Sequence, residues 1–280
     1  MTRPQPRTAI VNNASPPKQA QPADRQAAVT GDHQAIDSFR IVTVNVHKGF
    51  TVFNRRFILP ELRDAVNRLS ADMLFLQEVI GTHEGHSKRQ REWPLVPHYE
   101  YLADTLWPQF AYGRNAVYPD GDHGNALLSK FPIVSHDNID VSVSGDEKRG
   151  LLHAVLDLPG HRDVHAVCVH LGLRAKHRHR QLELLGNFAD RLPDGDPVIV
   201  AGDFNDWRNR ASPTLARKGF HEAFVAVDGV PAKSFPARWP LLRLDRIYVR
   251  HATTHYPQAL YHSPWSHLSD HVPLIAEVRL

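Results

Sequence analysis

The feature that most constrains this chain is a series of short apolar runs, each too brief for a buried helix and each closed by turn or polar residues. "FRIVTVNV", "ADMLFLQEV", "HGNALLSKFPI", "GLLHAVLDLPG", "DVHAVCVHL", "PVIVAGDFN", "LDRIYVR" and "HVPLIAEVRL" recur from Phe39 to the last residue. Runs of this length, rich in β-branched residues and bounded by Gly, Pro, Asn or Asp, read as strands. Between them, "ILPELRDAVNRL" sets Ile58, Leu62, Val66 and Leu69 at helical spacing, with Pro60 tolerated in the first turn. "HRQLELLGNFADRL" likewise sets Leu185, Phe188 and Leu192 along one face of a helix. Strands outnumber helices and the helices fall between strands, which predicts a layered α/β (α+β) fold.

Residues 1–38 break this pattern: they are rich in Pro, Gln, Ala and polar residues and show no apolar periodicity. That composition predicts a disordered tail at 1–38, followed by one domain over 39–280. No apolar run has the length of a membrane span, and the first residues lack the apolar core of a secretory signal. The expectation is a cytoplasmic protein without membrane insertion, with a monomer as the default state. The single cysteine, Cys168, excludes an intramolecular disulfide, and its place among valines predicts a buried strand residue. A net charge of +3 is compatible with a polyanionic partner without establishing one.

Several strand ends carry polar groups that a core strand does not require. Asn45, Glu78, His170, Asp203 with Asn205, Asp245, and Asp270 with His271 all fall at or just past such ends. Singly, each has an ordinary reading: Asn45 as a turn or cap residue, Glu78 as a solvated edge residue, Asp245 as an ion-pair partner of a neighbouring arginine. Together they describe a chemistry. Carboxylate and amide oxygens suit a hard cation such as Mg²⁺, and histidines with an orienting aspartate suit proton transfer. The chain has no Cys/His cluster for a structural zinc, no GxSxG elbow and no phosphate-binding P-loop. Metal-assisted phosphoester hydrolysis is what remains.

The ordered set Asn45, "QEV", "GNALLSKFPI", "VHLG", "GDFND", "RLDRIYV" and "SDHVPL" resembles the endonuclease/exonuclease/phosphatase (DNase I-like) superfamily over about residues 40–280. Within it, "VNVHKGFTVFNRRFILPELRDAV", "FAYGRNAVYP" and "EKRGLL" look like the bacterial YbhP-type branch. The resemblance implies a four-layered sandwich of two packed mixed β-sheets flanked by helices. It also implies roles: Glu78 and Asn45 as metal ligands, with Asp270 beside them, and Mg²⁺ (or Mn²⁺) as cofactor. Asp203 would orient or deprotonate the attacking water, and Asn205 would hold the scissile phosphate. Asp245 would fill the second acidic position, and His271 would bind a phosphate oxygen, its tautomer fixed by Asp270. His170 would be a general acid or a phosphate contact. Asp206 is read as a local cap.

For substrate, the first expectation is a nuclease acting on DNA or RNA, because a polyanion needs cationic contacts. Arg114 and Arg149 are the favoured cleft residues; Arg55, Arg56, Lys88, Arg89 and Arg91 read equally as solvated surface charge. The alternative is a phospholipid, sphingomyelinase-like or small-molecule phosphodiesterase or phosphatase. Phe235, Trp239, Leu241 and Leu242 in "SFPARWPLL" could meet lipid, stack a base, or pack on the body.

Overall fold

The computed structural model describes residues 35–51, 55–143 and 147–280. Twelve strands are present among them. The first six are β1 (Ser38–Asn45), β2 (Met73–His83), β3 (Gln109–Tyr118), β4 (Gly121–Ser129), β5 (Ile133–Asp140) and β6 (Gly150–Leu156). The second six are β7 (Val164–His170), β8 (Val198–Asp203), β9 (His221–Glu222), β10 (Asp245–Arg250), β11 (Thr253–Ala259) and β12 (Leu274–Arg279). Seven helices lie among them: α1 (Leu59–Asn67), α2 (Glu84–Ser87), α3 (His98–Ala103), α4 (Ala175–Ala189), α5 (Ala211–Ala216), α6 (Ala223–Asp228) and α7 (Trp265–Leu268).

The strands form two six-stranded mixed sheets, in the orders β11-β12-β1-β2-β4-β3 and β5-β6-β7-β8-β10-β9. Their alternating side chains make the four layers. Ile41, Met73, Phe75 and Leu127 from one sheet meet Leu152, Ala166, Cys168, Ile199 and Ile247 from the other in a shared buried core. On its outer face the first sheet offers Val42, Val44, Leu74 and Leu76 to Leu59, Leu62 and Val66 of α1. The second offers Val167, Val169 and Val200 to Leu182 and Leu185 of α4. Each such side chain, once fully buried, contributes about 1.5–3 kcal/mol relative to exposure. The expected four-layered sandwich is the observed one.

α1 follows its apolar spacing, and its Pro60 sits in the first turn as expected. α4 begins at Ala175, ahead of the stretch whose periodicity marks it, because His177 and Arg178 are also buried on its inner face. Of the expected tail, residues 1–34 lie outside the described residues. Residues 35–38 belong to the body: the Ile36 amide donates to the Pro159 carbonyl at 3.2 Å, and Ser38 pairs with Arg279. Among the described residues no helix is long and apolar enough to cross a membrane.

Candidate active site

Strand register assembles the site. In the second sheet β7 and β8 are parallel with His170 opposite Asp203, and β8 and β10 are antiparallel with Asp203 opposite Asp245. The three side chains therefore stand in one row at the strand ends. In the first sheet β1 and β2 are parallel, with Asn45, the last residue of β1, opposite Gln77 in the middle of β2. Glu78 follows at a bulge in β2, where the register against β4 shifts between Leu76 and Val79. Its backbone takes φ 56°, a left-handed conformation that costs a non-glycine residue about 1–2 kcal/mol. The strain re-aims the carboxylate out of the strand's alternation and toward Asn45. His47, Lys48 and Asn205 share this left-handed conformation, so four of the nine such non-glycine residues among the described residues gather at one place. Gly202, just before Asp203, is required by close approach: a Cβ there would meet the Val169 carbonyl oxygen at 2.0 Å.

Asp203 is the hub. Its Oδ2 lies 3.3 Å from Asn45 Nδ2, 3.5 Å from His170 Nε2 and 3.8 Å from His271 Nε2. Its Oδ1 accepts the Asn205 amide at 2.8 Å. Burial pushes the Asp203 carboxyl up to about 6, against the pull of the His271 imidazolium, so it changes charge near neutrality. His271 is buried too, which disfavours its charged form, but Asp245 and Asp203 outweigh that and lift it to about 10. His170 goes the other way: burial, with the Arg149 guanidinium nearby, holds it well below its ordinary range and therefore neutral. Burial would raise Glu78, yet the Lys48 ammonium and the Asn45 amide pull it the other way, to about 2.

Asp245 Oδ2 accepts His271 Nδ1–H at 2.8 Å, which fixes the orientation of the ring. This corrects the expectation that Asp270 holds it. The Asp270 carboxylate is half-buried, its Oδ1 lying 3.4 Å from Ser269 Oγ and 4.0 Å from His47 Nδ1. The two side chains thus have different partners although their residues are adjacent. The Asn205 side chain is partly engaged already, donating to the Leu171 carbonyl at 2.9 Å, which leaves one amide hydrogen for a ligand. Arg149 is half-buried and paired to Glu147 at 2.8 Å, near His170. Arg114 is exposed on edge strand β3, and among the described residues no hydrogen bond joins its guanidinium to the cluster. Asp206 caps α5 as expected, its Oδ2 accepting the Ala211 amide at 2.6 Å.

Two groups of oxygens suit a cation. Asn45 ends β1, Glu78 sits at the bulge within β2 and Asp270 lies in the bend before β12; Asn45 Nδ2 is 3.3 Å from Glu78 Oε1, and Lys48 Nζ, 4.0 Å from Glu78, balances part of the charge. Asp203, Asp245 and His271 also have ligand atoms within 4.8 Å of one another. In this second group His271 is hydrogen-bonded to Asp245, an arrangement that also suits proton handling.

Two other participants, Ser269 and Gln77, were not singled out from the sequence, whereas Phe235 was. Ser269 ties the halves together: its Oγ–H donates to the Asn45 carbonyl at 2.6 Å and its oxygen accepts the His271 amide at 3.1 Å. Gln77 bridges the sheets, donating to Cys168 Sγ at 3.2 Å, and Phe235 packs 5.1 Å from the His271 ring. The "SDH" string places Ser269, but nothing in a one-dimensional pattern shows a contact across 224 residues.

The model of the Endonuclease/Exonuclease/phosphatase family matches residues 42–271, and the chain belongs to that family. It is 56% identical over 245 residues to the uncharacterized protein YbhP of Escherichia coli (strain K12), covering 87% of this chain and 97% of that protein. Among solved structures, the endonuclease/exonuclease/phosphatase of Beutenbergia cavernae superposes with TM-score 0.72 at 19% identity, over 88% of this chain and 72% of that one. D. rerio TDP2 complexed with single strand DNA product gives TM-score 0.66 at 18% identity, over 88% of this chain and 100% of that one.

Proposed function

We propose that the protein is a divalent-metal-dependent phosphodiester hydrolase whose substrate is nucleic acid. The observation that carries this reading is the Asp203 carboxylate, poised near neutral pH between a neutral His170 and a protonated His271. In the proposed reaction Asp203 accepts a proton from the attacking water, because a base whose pKa lies near the operating pH is the most effective. The water oxygen bonds to phosphorus as the P–O bond to the leaving group breaks, and the leaving oxygen takes its proton from solvent. His271, held charged by Asp245, binds a non-bridging phosphate oxygen and offsets the charge that builds on it. His170, being neutral, serves as a hydrogen-bond donor to phosphate rather than as a general acid. The free Asn205 amide hydrogen offers a second such contact, while its backbone amide orients Asp203.

Asn45, Glu78 and Asp270 would hold the metal, Mg²⁺ or Mn²⁺. Hard oxygen donors and a Glu78 carboxyl that stays ionised at every working pH fit such an ion. Bound there, it would neutralise charge on the phosphodiester.

Nucleic acid is favoured by TDP2, a structural relative whose complex holds single strand DNA product, and by the arginines around the site. A lipid or small-molecule phosphodiester is the second reading, supported by the loop over His271, where Trp239 and Leu241 are 69% and 67% exposed. Incubation with supercoiled plasmid, a single-stranded oligonucleotide and phosphatidylcholine vesicles, each with Mg²⁺, Mn²⁺ or EDTA, separates the two. Metal-dependent cleavage of either nucleic acid, lost in Asp203→Ala, is the expected result. Lipid hydrolysis with both nucleic acids intact would replace the first reading by the second.

A further inference from the structure

Beside the catalytic cluster, α4, α5 and the loop after β8 enclose a cavity of about 450 Å³ whose lining includes Arg178, His179, Arg208, Arg210 and Arg217. Asp206 is the one carboxylate in that lining, and its Oδ2 is already engaged by the Ala211 amide. Arg208, Arg210 and Arg217 are exposed and have no carboxylate partner among the described residues. Three exposed arginines and the buried Arg178 around a concavity whose lining holds one committed carboxylate suit an anion. A flat array of cations would suit a membrane surface; a concave one suits a discrete phosphate.

The cavity is joined to the active site through two loops. Arg178 is 4% exposed and donates to the Gly172 carbonyl at 3.1 Å and to that of Leu173. The residue before them, Leu171, accepts the Asn205 side-chain amide. The same Arg178 guanidinium lies 4.4 Å over the ring of Trp207, two residues past Asn205. Trp207 thus has one face covered by a buried cation and is still 43% exposed. An indole backed by a guanidinium is a stacking platform for an unpaired base.

We infer that this cavity is a second-phosphate subsite for a single-stranded stretch of the substrate, with Trp207 stacking the base between the scissile phosphate at Asp203 and the neighbouring phosphate among Arg178, Arg208, Arg210 and Arg217. The inference rests on the phosphodiester reading of the catalytic cluster and names the substrate within it as single-stranded nucleic acid. A base inside a duplex has no free face for Trp207, so a single strand binds more tightly than a duplex of equal length.

The test is fluorescence anisotropy of a labelled 12-nucleotide single strand, in DNA and RNA versions, and of the matching duplex, with full-length protein in EDTA. Arg208→Ala/Arg217→Ala lowers single-strand affinity about tenfold and flattens the slope of log affinity against log salt by about 1.4, at about 0.7 per lost contact. Arg208→Lys/Arg217→Lys retains the slope. Trp207→Ala weakens the single strand about tenfold and leaves the duplex nearly unmoved, and Trp207→Phe restores most of the loss. With metal, the ratio of kcat/KM for the strand to that for bis-(p-nitrophenyl) phosphate falls about tenfold in the alanine double variant. Comparison of the DNA and RNA versions shows which strand the subsite prefers.

An unchanged affinity and salt slope in the alanine double variant overturns the subsite, as does tighter binding of duplex than of single strand. Binding of inorganic pyrophosphate with no measurable binding of either strand assigns the cavity to a small polyphosphate and overturns it too. Wild-type protein that binds the strand with the expected salt slope but hydrolyses no diester supports the subsite and removes the catalytic reading alone.

Discussion

The two sheets contain the same device and use it for different ends. In the first, β1 and β2 are parallel neighbours joined through α1; in the second, β7 and β8 are parallel neighbours joined through α4. The second pair carries its polar residues at the carboxyl ends of both strands, whereas the first carries one at the end of β1 and the other at the bulge within β2. The first thus presents Asn45 and Glu78, with Glu78 held at about 2, and the second His170 and Asp203, with Asp203 raised to about 6. Cations beside Glu78 keep it charged, whereas Asp203 is fully enclosed beside Asp245 and resists charging. One half is a fixed anion suited to hold a metal, and the other half is titratable and suited to move a proton. A common backbone plan places the groups, and the local charge around each decides its task.

The largest effect that breaks this division is expected from Asp203→Ala, which should lower kcat about 10²–10⁴-fold as removal of a general base does. Metal affinity, measured by calorimetry, stays within a few-fold of wild type. Glu78→Gln should do the reverse: metal binding weakens by at least tenfold, and excess metal recovers part of the rate. Equal loss of metal affinity in both variants would dissolve the distinction between the halves.

The pH profile sharpens it. In the proposed mechanism Asp203 acts deprotonated and His271 protonated, so the rate is expected to rise through about 6 and fall through about 10. Asp245→Asn removes the main support of the imidazolium, and the alkaline limb moves down by at least one pH unit. A limb that stays in place would show that Asp245 does not set the charge of His271.

Stability should carry opposite signatures in the two halves. A carboxyl whose folded pKa is depressed stabilises above its unfolded value and loses that contribution as pH falls through the folded one. For Glu78 the window runs from 4.5 down to about 2. Asp203 is raised from 3.8 to about 6, so its ionisation costs stability as pH climbs through that window. In EDTA at pH 7.5, Glu78→Gln is therefore expected to lower Tm and Asp203→Asn to leave it equal or higher; at pH 4 the Asp203→Asn gain disappears. Differential scanning calorimetry at the two pH values decides it. The smallest effect concerns the bulge: Glu78→Gly should be about 1 kcal/mol more stable than Glu78→Ala, because glycine relieves the left-handed backbone. Equal stabilities would mean that the surroundings absorb no strain there.

How much of this was legible in the sequence follows the sheets' own anatomy. β1, β2, β4, β6, β7, β8, β10 and β12, the eight strands with a neighbour on both sides, all carry apolar runs that mark them. The edge strands β3, β5, β9 and β11 carry none that was read as a strand. "IVSHDNID" of β5 and "TTHYPQA" of β11 are mostly polar and half-exposed. An edge strand packs on one side only and keeps charges and polar groups against unwanted pairing, which erases the apolar signal. The site residues were legible because strand ends otherwise have no use for buried Asn, Asp and His. Their partnerships were not: that His271 turns to Asp245 and not to Asp270 depends on β8–β10 register. The arginine cavity was hidden for a similar reason, since Arg178 on α4 and Arg208 after β8 meet only in three dimensions.

The central claim is metal-dependent phosphodiester hydrolysis with Asp203 as the base, and hydrolysis of bis-(p-nitrophenyl) phosphate against p-nitrophenyl phosphate tests it most directly. Wild-type protein with Mg²⁺ or Mn²⁺ should cleave the diester, cleave the monoester poorly, and do neither in EDTA, and Asp203→Ala should lose the diester activity. Cleavage of the monoester alone, or diester cleavage that survives in Asp203→Ala, would contradict the account.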